Sequence, residues 1–237
     1  MIKTISLLLL LSVTLFAKTH FSPYHTTVSQ VYKNSVSVAN SNAVPIGSTG
    51  VIIQSFTADH KTIIASVEVI KKEAGKMILA LSPFKAIAQD ALPNYSITPK
   101  VGDEVILNFL YNQALAIVPN AATYKIVTQS YNDFTWTHPD ILAASLSISY
   151  TPEPSKETFK EACTQHNIGL LLIAVNDKGH FVDCQSFKVL QTIPLPIASS
   201  IQTPFYNRLE TIKGRVFGLV GGKGIKNYNA FYSALLK

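Results

Sequence analysis

Along the first half of the chain, apolar and polar positions alternate in short runs broken by turn residues. Residues 18–27 are polar and are expected to be loose. From Val28 the pattern becomes strand-like: Val28, Val31 and Tyr32 precede a Lys33-Asn34 turn, and Val36 and Val38 then alternate with serines. Asn40 to Gly50, rich in Ser, Asn, Pro and Gly, reads as a loop. Val51 to Phe56 reads as a strand with Asp59-His60-Lys61 as its turn. In Thr62 to Ile70, the spacing of Ile64, Val67 and Val69 fits a half-buried strand, and Gly75 turns the chain into Met77 to Leu81. Residues 83–99 hold Pro83, Pro93 and Pro99 and read as a long crossover, with a helical turn at Phe84 to Gln89. Glu104 to Leu110 and Ala114 to Val118, separated by Asn112-Gln113, complete about seven short strands with almost no helix. A small closed or nearly closed β-barrel is the economical arrangement, because closure removes exposed edges. The periodicity changes at Pro119-Asn120, so the barrel-like domain is expected to span 18–120.

Residues 121–237 read as a mixed α/β domain. Tyr124 to Ser130 is expected as a strand. His138-Pro139-Asp140 starts a helix through Ser145, with Pro in the first turn and an acid at the positive end of the dipole. Leu146 to Tyr150 returns to an extended pattern. After the stiff Thr151-Pro152-Glu153-Pro154 linker, Ser155 caps a helix running to about Gln165. The block CTQHNIGLLLIAVNDKGHFVDC, residues 163–184, carries the clearest signal. Gly169 to Val175 is an apolar run, Asn176-Asp177-Lys178-Gly179 is a turn, and His180 to Leu190 is a second extended segment, which together specify a β-hairpin. Residues 191–204, with Pro194, Pro196 and Pro204, are loop or edge. Val216 to Val220 reads as a strand, Gly221-Gly222-Lys223-Gly224 as a flexible corner, and Ile225 to Leu236 as an amphipathic helix with Tyr228, Phe231 and Leu235 on one side. The fold class is therefore α+β: an N-terminal small β-barrel, then a mixed α/β domain built on a β-hairpin.

The composition, 47% hydrophobic and 14% charged over 237 residues, has ample material for a core. A net charge of +6 is mild and its lysines are scattered, unlike the clustered basic element of a nucleic-acid binder. Lys3, the apolar Ile5 to Phe16 and Ala17 form a secretory signal peptide over residues 1–17. That run is shorter than the ~20 residues a membrane-spanning helix needs. The mature chain from Lys18 is expected to be exported, in the periplasm or on the cell surface, with no transmembrane segment.

Cys163 and Cys184, the two cysteines of the chain, bracket the hairpin. In an exported protein they invite a disulfide. With the turn centred on Asp177-Lys178, Cys184 would lie opposite Leu171, and a helix folding back over the hairpin would bring Cys163 within reach. Such a bond would close a loop of about twenty residues and contribute roughly 3 kcal/mol. The alternative is two separate buried thiols. The spacing Cys163-x-x-His166 and His180-x-x-x-Cys184 has the form of a zinc ligand set. However, His180 stands beside the turn opposite Val175, and His166 lies roughly 30 Å of extended chain away at ~3.3 Å per residue. Gly218 to Gly224 lacks the Ser or Thr that follows Gly-Lys in a phosphate-binding loop. His138 and Asp140 form a close His-Asp pair, and no nucleophile elbow accompanies them. Asp140 has a simpler role in the first turn of a helix. No enzyme, metal or cofactor is expected. Lys71-Lys72 and the last residue, Lys237, are candidates for binding a partner.

The segments GVIIQSF, DALP, GDEVILNFLYNQALAIVPN, HPDILAASL, HNIGLLLIAVNDKGHFVDCQSFKVL and PFYNRLETI, in that order, resemble the N-terminal domain of the plasminogen-binding proteins of Helicobacter and related bacteria. The resemblance implies an exported, surface-associated protein that captures host plasminogen by lysine-dependent docking to its kringle domains. Members of that family carry a long lysine- and glutamate-rich extension, whereas this sequence stops soon after the shared domain. The resemblance therefore makes Lys237 the expected partner-binding residue, because its ammonium and carboxylate present the two charges that a kringle pocket recognises. A periplasmic structural or envelope-assembly module, with envelope proteins as partners, is the alternative.

Overall fold

The computed structural model describes residues 21–57, 59–84, 97–197, 200–209, 211–216, 219–222 and 224–237. The expected signal peptide, and residues 85–89 of the expected helical turn, lie outside the described residues.

Seven strands form one antiparallel sheet: β1 (Tyr24–Thr27), β2 (Gln30–Val31), β3 (Ser35–Ala39), β4 (Thr49–Ser55), β5 (Lys61–Glu73), β6 (Lys76–Ser82) and β7 (Glu104–Leu107). Their order is β1-β7-β4-β5-β6-β3-β2. The end strands β1 and β2 are separated in sequence by Val28 and Ser29 alone. Val28 still bonds towards β7, donating to Asp103 at 2.9 Å, while Ser29 already bonds towards β3, donating to Ser37 at 2.8 Å. One bent segment thus touches both ends, which requires the sheet to curl. The result is a curled half-barrel; among the described residues no ladder joins β1 to β2. Its concave side is filled by Val36, Val38, Ile52, Val67, Val69 and Leu79, all buried. A bulge at Ile52/Ile53 leaves Ile64 unpaired and turns Ala65 inward, where alternation alone had pointed to Ile64. Residues 21–27, expected to be loose, include β1, and Phe21 is buried against Tyr111 and Phe181, with ring centroids 5.8 and 5.3 Å apart.

Past β7 the chain leaves this sheet. Asn108 and Leu110 take positive φ values of 56° and 61°. They divert the backbone so that β8 (Gln113–Ile117), expected as the last strand of the barrel, lies in the second sheet instead. Three helices follow in the order α1 (Ala121–Ser130), α2 (Asp140–Ser149) and α3 (Lys156–Gln165), with β9 (Thr135–Thr137) between the first two. The second sheet is completed by β10 (Leu170–Val175), β11 (Lys178–Asp183) and β12 (Val189–Pro194), in the order β12-β11-β10-β8-β9. β8 runs parallel to both β9 and β10, and the other pairings are antiparallel. The remaining elements are the small hairpin β13 (Gly214–Val216) with β14 (Leu219–Gly222), and α4 (Tyr228–Leu235). Gly221 and Gly222 therefore belong to a strand, not to the expected corner.

Every residue of β10 is buried because both faces of the second sheet are covered, the usual condition of a parallel strand. Leu171, Ile173 and Val175 meet α2, α3 and α4 in one core. Leu170, Leu172 and Ala174 meet Val127 and Tyr131 of α1 and its C-cap in another. Residues 124–130, rich in β-forming side chains, are helix α1 because Asn120 caps it, accepting from Thr123 N at 2.8 Å, and because Thr123 and Val127 bury one face. Propensity yields here to capping and tertiary burial. α2 likewise runs past Ser145 to Ser149, where extended chain was expected, and stops at left-handed Tyr150. α3 carries the expected Ser155 cap, with Thr158 completing a capping box. The hairpin turn is Asn176-Asp177, with φ of 51° and 56°, one residue earlier than expected. Cys184 consequently lies opposite Gly169, donating to its carbonyl at 3.1 Å.

Candidate functional site

The two sheets meet at one carboxylate. Asp183 ends β11, and its side chain is completely buried. One oxygen accepts the backbone N–H groups of Gln185 (2.8 Å) and Ser186 (2.6 Å), so the residue first organises its own tight turn. The other oxygen accepts the hydroxyls of Tyr111 (2.5 Å) and Thr49 (2.7 Å) and the Thr49 N–H (3.1 Å). Thr49 opens β4 of the first sheet and Tyr111 lies in the crossing between sheets. Burial pushes the Asp183 carboxyl up from its ordinary value, and the bonds from Tyr111, Ser186 and Thr49 pull it part of the way back. Burial, and then the adjacent carboxylate, hold the Tyr111 phenol well above its usual range. Nearby, Ser186 donates its hydroxyl to Gly47 O at 2.6 Å, and Lys188 pairs with Glu68 of β5 at 2.9 Å. No sequence motif advertised this node. Its one visible sign was an acid directly before Cys184, following the apolar Phe181 and Val182.

Beside the node a groove of about 730 Å³ separates the half-barrel from α3. Val51 and Val67 wall one side, Lys160 and Cys163 the other, and Phe109 stands where the chain crosses. Gly50 and Gly169 lie in its lining. A Cβ on Gly50 would collide with the carbonyl of Ile106, and one on Gly169 with that of Leu110, so the backbones there approach too closely for any side chain.

A second cluster sits at the carboxyl ends of β8 and β9. His138 lies between the rings of Tyr124 and Tyr206, with centroids 5.1 and 6.0 Å away. Asp140 stands 3.1 Å from His138 Nδ1. It also accepts the Arg208 N–H at 2.8 Å and Nε at 2.7 Å. Burial lowers the His138 imidazole; Asp140 raises it and Arg208 lowers it further. For Asp140 burial acts upward, and the Arg208 bonds and His138 outweigh it, leaving the carboxyl below its ordinary value. In open α/β sheets such strand ends are where ligands bind. Here the protein's own chain occupies them: Gln202 N donates to Pro119 O at 2.7 Å and Tyr206 N to Val118 O at 2.7 Å. Asp140 is therefore tied into an ion pair with Arg208 while it faces His138.

Cys163 on α3 and Cys184 after β11 are joined by a disulfide, their Cα atoms 6.0 Å apart. Both sulfurs are thus consumed, and the zinc set weighed from the sequence has no thiolate to offer. His166 caps the end of α3, exposed, and His180 pairs with Thr192 at 3.0 Å. Among the described residues no three His, Cys, Asp or Glu side chains converge as a metal site. Lys71 is exposed and pairs with Glu73 at 2.9 Å, whereas Lys72 turns away to donate to Ser41 O at 2.6 Å. Lys237 is exposed just beyond α4, far in sequence from either pair.

Residues 23–236 match the family model described as plasminogen-binding protein pgbA N-terminal. No curated protein matches the chain significantly.

Proposed function

The chain belongs to the family of the plasminogen-binding protein pgbA N-terminal domain, and from that premise we propose that it is an exported protein that binds plasminogen through lysine side chains on its folded surface. The observation that carries this reading is the extent of the match, which runs from just before β1 to the end of α4 and so takes in both sheets and the seam between them. Export is supported by the disulfide, since such bonds persist in oxidising compartments. The leader read over residues 1–17 supplies the route. No helix among the described residues is long and apolar enough to cross a membrane. Binding is the reading these side chains support: the buried Asp183 carboxylate is engaged in five hydrogen bonds, and Asp140 of the His-Asp pair is bonded to Arg208. Lys237, exposed, is one lysine through which docking can run.

The groove between the sheets favours a second reading, a periplasmic module whose partner is an envelope protein, because a cleft between two rigid walls suits a protein segment better than a kringle does. Binding of purified residues 18–237 to immobilised plasminogen, with and without a free lysine analogue, separates the two. Saturable binding abolished by the analogue is expected. Absence of binding, together with co-purification of envelope proteins, would replace the first reading by the second.

A further inference from the structure

We propose that the tip of the β5–β6 ribbon presents the lysine through which this protein docks, with Lys71 as the ammonium and Glu73 as the carboxylate of a paired-charge epitope. Its occupant is a lysine-binding pocket of the partner, with an acidic end, a basic end and an aromatic trough between them. The assignment rests on the plasminogen-binding reading and adds to it the place on this chain.

The local sequence is Ile70-Lys71-Lys72-Glu73-Ala74-Gly75-Lys76. Ala74 and Gly75 close the ribbon, Gly75 at φ +79°, and a Cβ built on Gly75 would meet nothing within 4 Å. The tip therefore stands in open space. Just before it, the register slips between Val69 and Lys71, so Ile70 has no partner across the ladder. Bulges of this kind re-aim side chains. Here the bulge leaves Ile70 46% exposed and the Lys71 side chain 67% exposed.

Lys71 and Glu73 are two residues apart on one strand, hence on one face and ~6.6 Å apart along it. The Lys71 ammonium presently folds onto Glu73 at 2.9 Å. Lys76 holds the same carboxylate from across the ribbon at 3.6 Å. When Lys71 swings outward, Glu73 therefore remains placed. Exposed ion pairs are weak in water, so opening this one costs little against a pocket that offers each charge a new partner. Ile70, next to Lys71 in the chain, adds an exposed apolar side chain to the same tip. Two other exposed lysine pairs among the described residues stand elsewhere: Lys188–Glu68 links the segment between β11 and β12 to β5, and Lys61–Glu104 lies at the opposite end of β5.

The test measures binding of residues 18–237 to immobilised plasminogen for wild type, Lys71→Gln, Glu73→Gln and Lys188→Gln, each with a lysine-analogue titration. All three positions are exposed or at the surface, and thermal melts verify that each variant folds. Expected are affinity losses of about tenfold or more for Lys71→Gln and several-fold for Glu73→Gln, with Lys188→Gln within about twofold of wild type. Analogue-sensitive wild-type binding that Lys71→Gln and Glu73→Gln leave intact would overturn the ribbon tip and spare the plasminogen reading. Loss with Lys71→Gln that Lys188→Gln shares equally, or that Glu73→Gln does not share at all, would mean general charge attraction and overturn paired recognition. Failure of the wild type to bind would overturn the reading itself and the assignment with it.

Discussion

The Thr49 hydroxyl donates to the Asp183 carboxylate at 2.7 Å, and by that bond the first strand residue of β4 in the half-barrel is fastened to the last residue of β11 in the second sheet. The two residues are 134 positions apart in the chain. Hydrogen bonds to a buried charged group contribute about 1.5–3 kcal/mol each. Thr49→Val keeps the branched shape that suits a strand and removes the hydroxyl alone. It is expected to lower stability by about 2 kcal/mol, a Tm loss of roughly 6 °C for a chain of this size. Tyr111→Phe removes a second donor to the same oxygen, so the double variant should depart from additivity. Chemical denaturation of the four proteins measures both effects.

The pH dependence of that loss has a definite sign. The Asp183 carboxyl is raised by burial and drawn down by donors that include Thr49. A carboxyl raised in the folded state contributes stability that is complete below its unfolded value near ~3.9 and is lost as pH rises through the folded value. Removing the Thr49 hydroxyl raises it further. The penalty of Thr49→Val should therefore be smaller near pH 4 and grow towards neutrality. A penalty that shrinks as pH rises would show that the bond serves the protonated acid.

His138 offers a separate titration. Burial lowers its imidazole below the ordinary ~6.5, with Asp140 acting upward and Arg208 downward. Asp140→Asn is expected to move its NMR titration to lower pH, and Arg208→Met to higher pH. A depressed histidine contributes stability present above ~6.5 and lost as pH falls through its folded value. His138→Gln should flatten that segment of the stability profile.

Reduction of Cys163–Cys184, or its replacement by serines, frees α3 from the end of β11, across 21 residues of sequence. Loop-closure reasoning puts the cost at roughly 3 kcal/mol. Cys184 adjoins Asp183, so the loss should be accompanied by faster amide exchange at Gln185 and Ser186, whose N–H groups Asp183 holds.

Asn176 occupies a positive-φ turn position and also reaches α4, donating from its side chain to Ser233 Oγ at 3.0 Å and from its backbone to Asn229 Oδ1 at 3.2 Å. Asn176→Ala places a less tolerant residue in that conformation and removes one of the two bonds. It is expected to cost about 1–2 kcal/mol, read by thermal unfolding.

Much of this architecture is written locally. Ser155 with Thr158 starts α3, Asn176-Asp177 turns the hairpin, and the alternation around Val67 and Val69 faces one side of β5 inward, because each depends on residues a few positions apart. The apolar run of β10 was legible as a strand of a hairpin, whereas its burial on both faces comes from the helices packed on either side. Other decisions required partners distant in sequence. Ala114 to Ile117 has the same strand pattern whether it ends a barrel or sits at the centre of another sheet; pairing with Leu170 to Ile173 and the bend at Asn108 and Leu110 chose the second. Tyr124 to Ser130 is helix because Asn120 caps it and Val127 finds a core. Asp183 became a fastening point because folding carried Thr49 and Tyr111 to it, and a lone acid in a strand does not name its donors. The bulge that exposes Ile70 and Lys71 arises from register with β6, which a chain read one residue at a time does not contain. Propensity, capping and turn chemistry are short-range and so are legible in sequence. Register, strand order and the satisfaction of a buried charge are set by contacts made only when the chain closes on itself.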